Sequence, residues 1–76
     1  MATKAFILIE TAVGRTRGVT HSLKQLRAVK SVDIVAGPYD VIAIVEGEDL
    51  NDIGGLVTGK IHAVPGISRI VTCLAL

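Results

Sequence analysis

The sequence predicts an α+β fold: a four-stranded antiparallel sheet with two helices on one of its faces. Three observations predict it. Four apolar runs have strand length and are rich in β-branched residues. Two other segments, one between the first and second runs and one between the third and fourth, repeat their apolar residues at helical spacing. The middle runs, Ser31–Ala36 and Tyr39–Glu46, are separated only by Gly37-Pro38, which marks a hairpin. The order β-α-β-β-α-β is that of the ferredoxin-like plait. Right-handed crossovers then place strands one and three in the centre and two and four at the edges.

Each element has a local cause. Ala5–Glu10, AFILIE, reads as a buried first strand. Thr11–Gly18 is a loop framed by Gly14 and Gly18. Val19–Val29 follows as a helix whose stripe is Val19, Leu23 and Leu26, with Thr16 or Gly18 as its cap. After the hairpin, Asp49 is a suitable N-cap for a second helix and Asp52 sits near its positive end. Leu50, Ile53, Val57, Ile61 and Val64 carry that helix's apolar face until Pro65-Gly66 stops it. Gly54, Gly55 and Gly59 lie inside it, each less favourable than Ala by up to about 1 kcal/mol. Their expected use is close approach to the sheet or to a neighbouring subunit. Ile67–Leu76 is the last strand.

Composition narrows the possibilities. The chain has 76 residues, half of them hydrophobic, and its only aromatics are Phe6 and Tyr39. One domain, 1–76, with an aliphatic core is expected, and domains this small are often marginal alone. Helices cover one sheet face. The other, expected to carry aliphatic side chains from all four strands, needs a second copy, so a symmetric dimer through the sheets is expected. The net charge of +1 lacks the basic excess that duplex DNA would require, so direct nucleic-acid binding is not expected. The N-terminal apolar run is too short for a signal peptide or a membrane span, and Cys73 is the single cysteine. A reduced, cytoplasmic setting fits. Met1 and the early first strand point to an independent product.

Most chemical constellations favour plain structural roles. His21 and Ser22 are helix neighbours that point to different faces, which argues against a catalytic pair. His62 suits a helix C-terminus, and with His21 it has no evident third ligand for a metal. Val13–Gly18 has two arginines before a helix but lacks the phosphate-loop Gly-Lys-Ser/Thr element; a solvated turn is expected. Cys73, among Val71 and Leu74, reads as a buried, inert thiol. The hairpin turn differs. Asp40 offers an acceptor for an ammonium group, a Gly-containing turn offers main-chain N–H donors for a carboxylate, and Tyr39 offers a wall. Thr72 in the last strand adds a hydroxyl. Those are the groups a small zwitterion needs, although a turn aspartate also commonly bonds its own backbone.

Gly37-Pro38-Tyr39-Asp40 followed by the Val41–Val45 strand resembles the Gly-x-Tyr-Asp hairpin of the leucine-responsive regulator/AsnC (Lrp/AsnC) family. Val64–Thr72 resembles that family's Pro-Gly-Val-x-Arg-Thr-x-Thr segment, with Ile70 in place of the usual Thr. The resemblance covers nearly the whole chain, but only the family's effector-binding (RAM) domain, without the helix-turn-helix domain. It implies sheet-to-sheet dimers that assemble into rings. It also implies a small effector, commonly an amino acid, bound at an inter-subunit contact lined by Gly37, Pro38, Tyr39, Asp40 and Thr72. The function implied is non-enzymatic sensing, with no cofactor or metal, acting through oligomer assembly or a full-length Lrp/AsnC-type regulator. Two rival readings remain. A dimeric α+β barrel enzyme, a small monooxygenase or isomerase, needs an acid–base residue inside a cavity, whereas the predicted interior is aliphatic. A ligand-free assembly scaffold shares the oligomer and predicts no ligand.

Overall fold

A computed structural model of the chain describes residues 2–76. Met1, on which the expectation of an independent product partly rests, lies outside them. The elements run β1 (Thr3–Thr11), α1 (Thr16–Lys24), β2 (Val29–Ile34), β3 (Val41–Gly47), α2 (Leu50–Leu56), a π-helical turn (Val57–Ile61) and β4 (Ile67–Leu74). The strands form one antiparallel sheet in the order β2-β3-β1-β4. The ferredoxin-like plait and the placement of its central strands are as the sequence predicts.

The core is a single aliphatic layer. Ala5, Ile7 and Ile9 of β1 and Val41, Ala43 and Val45 of β3 alternate toward the helices, which bury Val19, Leu23, Ile53 and Ile61 against them. Strand alternation turns the residues between them to the other face. Register pairs Phe6 with Ile44 and Cys73, and Leu8 with Ile42 and Val71, so these six share an open, largely apolar surface. β2 contributes Ser31 and Asp33 there, opposite Ile44 and Ile42. The open face is therefore aliphatic from three strands rather than the expected four. Charge frames it: the Lys4 ammonium lies 5.2 Å from the Phe6 ring centroid, and Arg69 pairs with Glu10 at 3.4 Å. Both groups of that pair are well exposed, so it contributes little to stability.

Both helices depart from their expected bounds. α1 begins after Arg15, with no side-chain cap bond, and ends at Lys24. Thr16 and Gly18 lie inside it rather than capping it, and the Thr16 hydroxyl is bonded instead to Thr11, at 2.8 Å. Leu26 and Val29 still pack on the core, but from the turn and from β2. α2 is capped as expected: Asp49 accepts from the Asp52 N–H at 3.0 Å, and Asp52 accepts from the Glu48 N–H at 2.8 Å. Its continuation opens into a π turn closed by the His62 N–H donating to the Val57 carbonyl at 2.9 Å. Ile53 and Ile61 are buried, and Val57 packs against the same core.

The glycines divide by role. Gly66 has φ +95°, and a Cβ there would stand 2.7 Å from Arg15 Cβ; it lets the strand-four entry press against the start of α1. Gly54, Gly55 and Gly59 have open space within 4 Å of where a Cβ would lie. Close approach to the sheet, expected for them, does not occur within the chain. Gly55→Ala is accordingly expected to stabilise the fold by up to about 1 kcal/mol, read as a rise in the thermal unfolding midpoint at fixed protein concentration.

Candidate functional site

The site is built where β1 and β3 end. Regular pairing stops at Ile9 and Val41, so β3 begins two residues later than the expected Tyr39, and loop 35–40 carries both Tyr39 and Asp40. The loop is closed by the Val35 N–H donating to the Asp40 carbonyl at 2.9 Å, and it is tied to β1 by the Asp40 N–H donating to the Ile9 carbonyl at 2.9 Å. Gly37 adopts φ +150°, a region that disfavours residues with a Cβ, and Pro38 follows it. Gly37 and Pro38 are exposed; Tyr39 and Asp40 are half-buried.

The Asp40 carboxylate continues the ladder that its backbone leaves. Oδ2 accepts from the Thr11 N–H at 2.8 Å and from the Thr11 hydroxyl at 3.3 Å. A carboxylate only accepts, so the Thr11 hydroxyl proton points to Asp40 and the Thr16 hydroxyl, 2.8 Å away, donates to Thr11. The turn aspartate thus binds the end of a distant strand rather than its own backbone. Oδ1 has no hydrogen-bond partner among the described residues, and neither do the N–H groups of Gly37 and Tyr39. One free anionic acceptor and two free donors therefore sit within four consecutive residues.

Thr72 lies elsewhere. It stands opposite Ile7 on β4, across the whole width of β1 from β3, and is exposed. The single chain brings Gly37, Pro38, Tyr39 and Asp40 together and does not bring Thr72 to them. Cys73, expected to be buried, is exposed, because its register places it beside Phe6 on the open sheet face. The expected loop Val13–Gly18 extends only to Arg15, since Thr16, Arg17 and Gly18 are helical. Sequence reasoning missed Thr11 as part of the site. The available signal was topological: a threonine ends the strand that must lie beside the Asp40 turn.

Residues 4–76 match the family described as the Lrp/AsnC ligand binding domain. The chain belongs to the Lrp/AsnC family. An uncharacterised HTH-type transcriptional regulator of Pyrococcus horikoshii is 31% identical over 78 residues, covering 99% of this chain and 52% of that protein. A homocitrate synthase of Sulfurisphaera tokodaii is 36% identical over 61 residues, 80% of this chain but 13% of the enzyme. The chain thus spans about half the length of the matching Lrp/AsnC-type regulator and a small part of the synthase. The crystal structure of a hypothetical protein from Pyrococcus horikoshii superimposes with a TM-score of 0.91 at 38% identity, covering 100% of this chain and 90% of the other. A Neisseria meningitidis transcriptional regulator, solved as an L-Met complex, shares the fold with a TM-score of 0.88 at 18% identity, over 97% of this chain and 49% of that one. The Lrp/AsnC family is one of transcription regulators. Among the described residues, no helix is long and apolar enough to cross a membrane.

Proposed function

We propose that this Lrp/AsnC domain is a non-enzymatic sensor that binds an amino acid at a contact between subunits, around loop 35–40. The observation that carries the reading is the match of residues 4–76 to a ligand-binding domain. The L-Met complex of the Neisseria regulator supports an amino acid as the effector class. The loop supplies matching chemistry: Asp40 Oδ1 for the ammonium and the Gly37 and Tyr39 N–H groups for the carboxylate. Gly37, Pro38, Tyr39 and Asp40 form one wall, and Thr72 of another subunit joins them. The open apolar sheet face supports dimerisation, with dimers assembling into rings. Effector bound between subunits stabilises whichever assembly builds the pocket. Output then passes through a partner, such as a full-length Lrp/AsnC-type regulator recruited into mixed oligomers in the cytoplasm. The related stretch in a homocitrate synthase supports a module that serves more than one kind of output.

A thermal-shift panel of the twenty amino acids on wild type and Asp40→Asn tests the reading. Ligand at a hundred times its Kd adds about 2.7 kcal/mol for one site. A selective shift in wild type that is lost in Asp40→Asn is expected. The asparagine oxygen must accept from the Thr11 N–H, which leaves its NH2 group in the Oδ1 position, a donor facing the ligand ammonium. A panel without any shift would overturn the amino-acid reading and favour the scaffold.

A further inference from the structure

We propose that Thr11 and Thr16 are positioning residues for effector binding: their hydroxyls hold the Asp40 carboxylate in one rotamer, with Oδ1 presented to the effector ammonium. This rests on the amino-acid reading above. Three observations carry it. The Thr11 N–H and hydroxyl both converge on Oδ2, at 2.8 and 3.3 Å, so one oxygen is used and the other is left free. The Thr11 hydroxyl is itself oriented by Thr16 at 2.8 Å, which gives a directed relay from the start of α1 through the end of β1 to the carboxylate. Thr16 performs no capping at that helix start; its hydroxyl is given over to the relay.

The relay has a geometric consequence. The two donors on Oδ2 fix the carboxylate plane. The ligand meets an Oδ1 of fixed direction and spends no binding energy on ordering the side chain. Without the Thr11 hydroxyl the main-chain N–H still holds Oδ2, so the fold persists, but the carboxylate gains freedom about its terminal torsion. The loss is then confined to ligands that use Oδ1.

The test compares wild type with Thr11→Val, Thr11→Ser and Thr16→Val. Each of the twenty amino acids is titrated by calorimetry, and so is the des-amino carboxylate of every one that binds. Thr11→Val is expected to weaken amino-acid binding by up to about tenfold, the cost of ordering one side chain on binding. Thr11→Ser restores it. Thr16→Val, which leaves both bonds to Asp40 in place, gives a smaller loss of the same kind and serves if Thr11→Val folds poorly. The des-amino carboxylates, which lack the ammonium, lose nothing. Equal binding by wild type and both valine variants would overturn the positioning role and leave the sensor reading intact. Equal loss for an amino acid and its des-amino analogue would overturn it too, since that marks general damage to the loop. If wild type binds none of the twenty, the sensor reading falls and the positioning role falls with it.

Discussion

Asp40→Ala lowers the stability of the chain by about 1–3 kcal/mol, while Asp40→Asn leaves it nearly unchanged. The alanine orphans the Thr11 N–H, which ends β1 in a half-buried position with Oδ2 as its acceptor at 2.8 Å. Leaving such a donor unmatched brings in the desolvation penalty of that group. The asparagine keeps an oxygen in place and loses only the charge. At about 4–8 °C per kcal/mol for a domain of this size, the alanine variant's unfolding midpoint falls by several degrees or more. Thermal melts at one fixed protein concentration check this, because any assembly makes the midpoint concentration-dependent. Equal midpoints for the two variants would show that the bond from Thr11 contributes nothing. The pair also separates two roles of one residue. Both variants lose effector binding, and only one loses stability.

Leu8→Glu dissolves the expected dimer. Leu8 lies between Ile42 and Val71 on the open sheet face, and Phe6, Ile44 and Cys73 complete its surroundings. Burial of a leucine side chain contributes about 1.5–3 kcal/mol. A two-fold interface loses that contribution twice, roughly 3–6 kcal/mol, or about two to four orders of magnitude in the dimer Kd. Two glutamates facing one another across the axis add to the loss. Sedimentation velocity at micromolar concentration should show wild type as dimer or larger and Leu8→Glu as monomer, with far-UV circular dichroism retained. A variant that sediments like wild type would place the subunit contact elsewhere.

The topology was legible because each element carries its own periodicity. β1 and β3 alternate around a continuous apolar run, and the register that results is the one strand parity requires. Asp49 at the start of α2 was legible as a cap for the same local reason. Helix ends were less so. Leu26 and Val29 continue the α1 stripe in sequence, yet a chain that leaves the helix at Lys24 still delivers both to the same core, and periodicity does not separate the two outcomes. The π turn at Val57–Ile61 was not legible, because Leu50, Ile53, Val57, Ile61 and Val64 recur at the three- and four-residue spacing of an ordinary helix. Cys73 was misjudged from its apolar neighbours in sequence; its face is set by its pairing with Phe6, which only the register reveals.

At the candidate site the acceptor was visible and its partners were not. Gly37, Pro38, Tyr39 and Asp40 are consecutive, so a turn motif displays them together. The bond that orders Asp40 comes from Thr11, 29 positions earlier, and becomes evident only once β1 and β3 are neighbours. Thr72 poses the converse problem. Its strand is right, but β1 intervenes within one chain, so any convergence with Asp40 is a property of the assembly.

Tyr39 gives the molecule a native optical reporter. The chain has one tyrosine and no tryptophan, and the tyrosine sits half-buried in the loop that holds Asp40. Its tyrosine emission and tyrosine-band dichroism therefore come from a single ring next to the proposed effector contact, with no second tyrosine or tryptophan behind it. Ligand arrival and subunit docking at that loop can be followed in the unlabelled wild-type protein, and in each variant described above, by watching one chromophore.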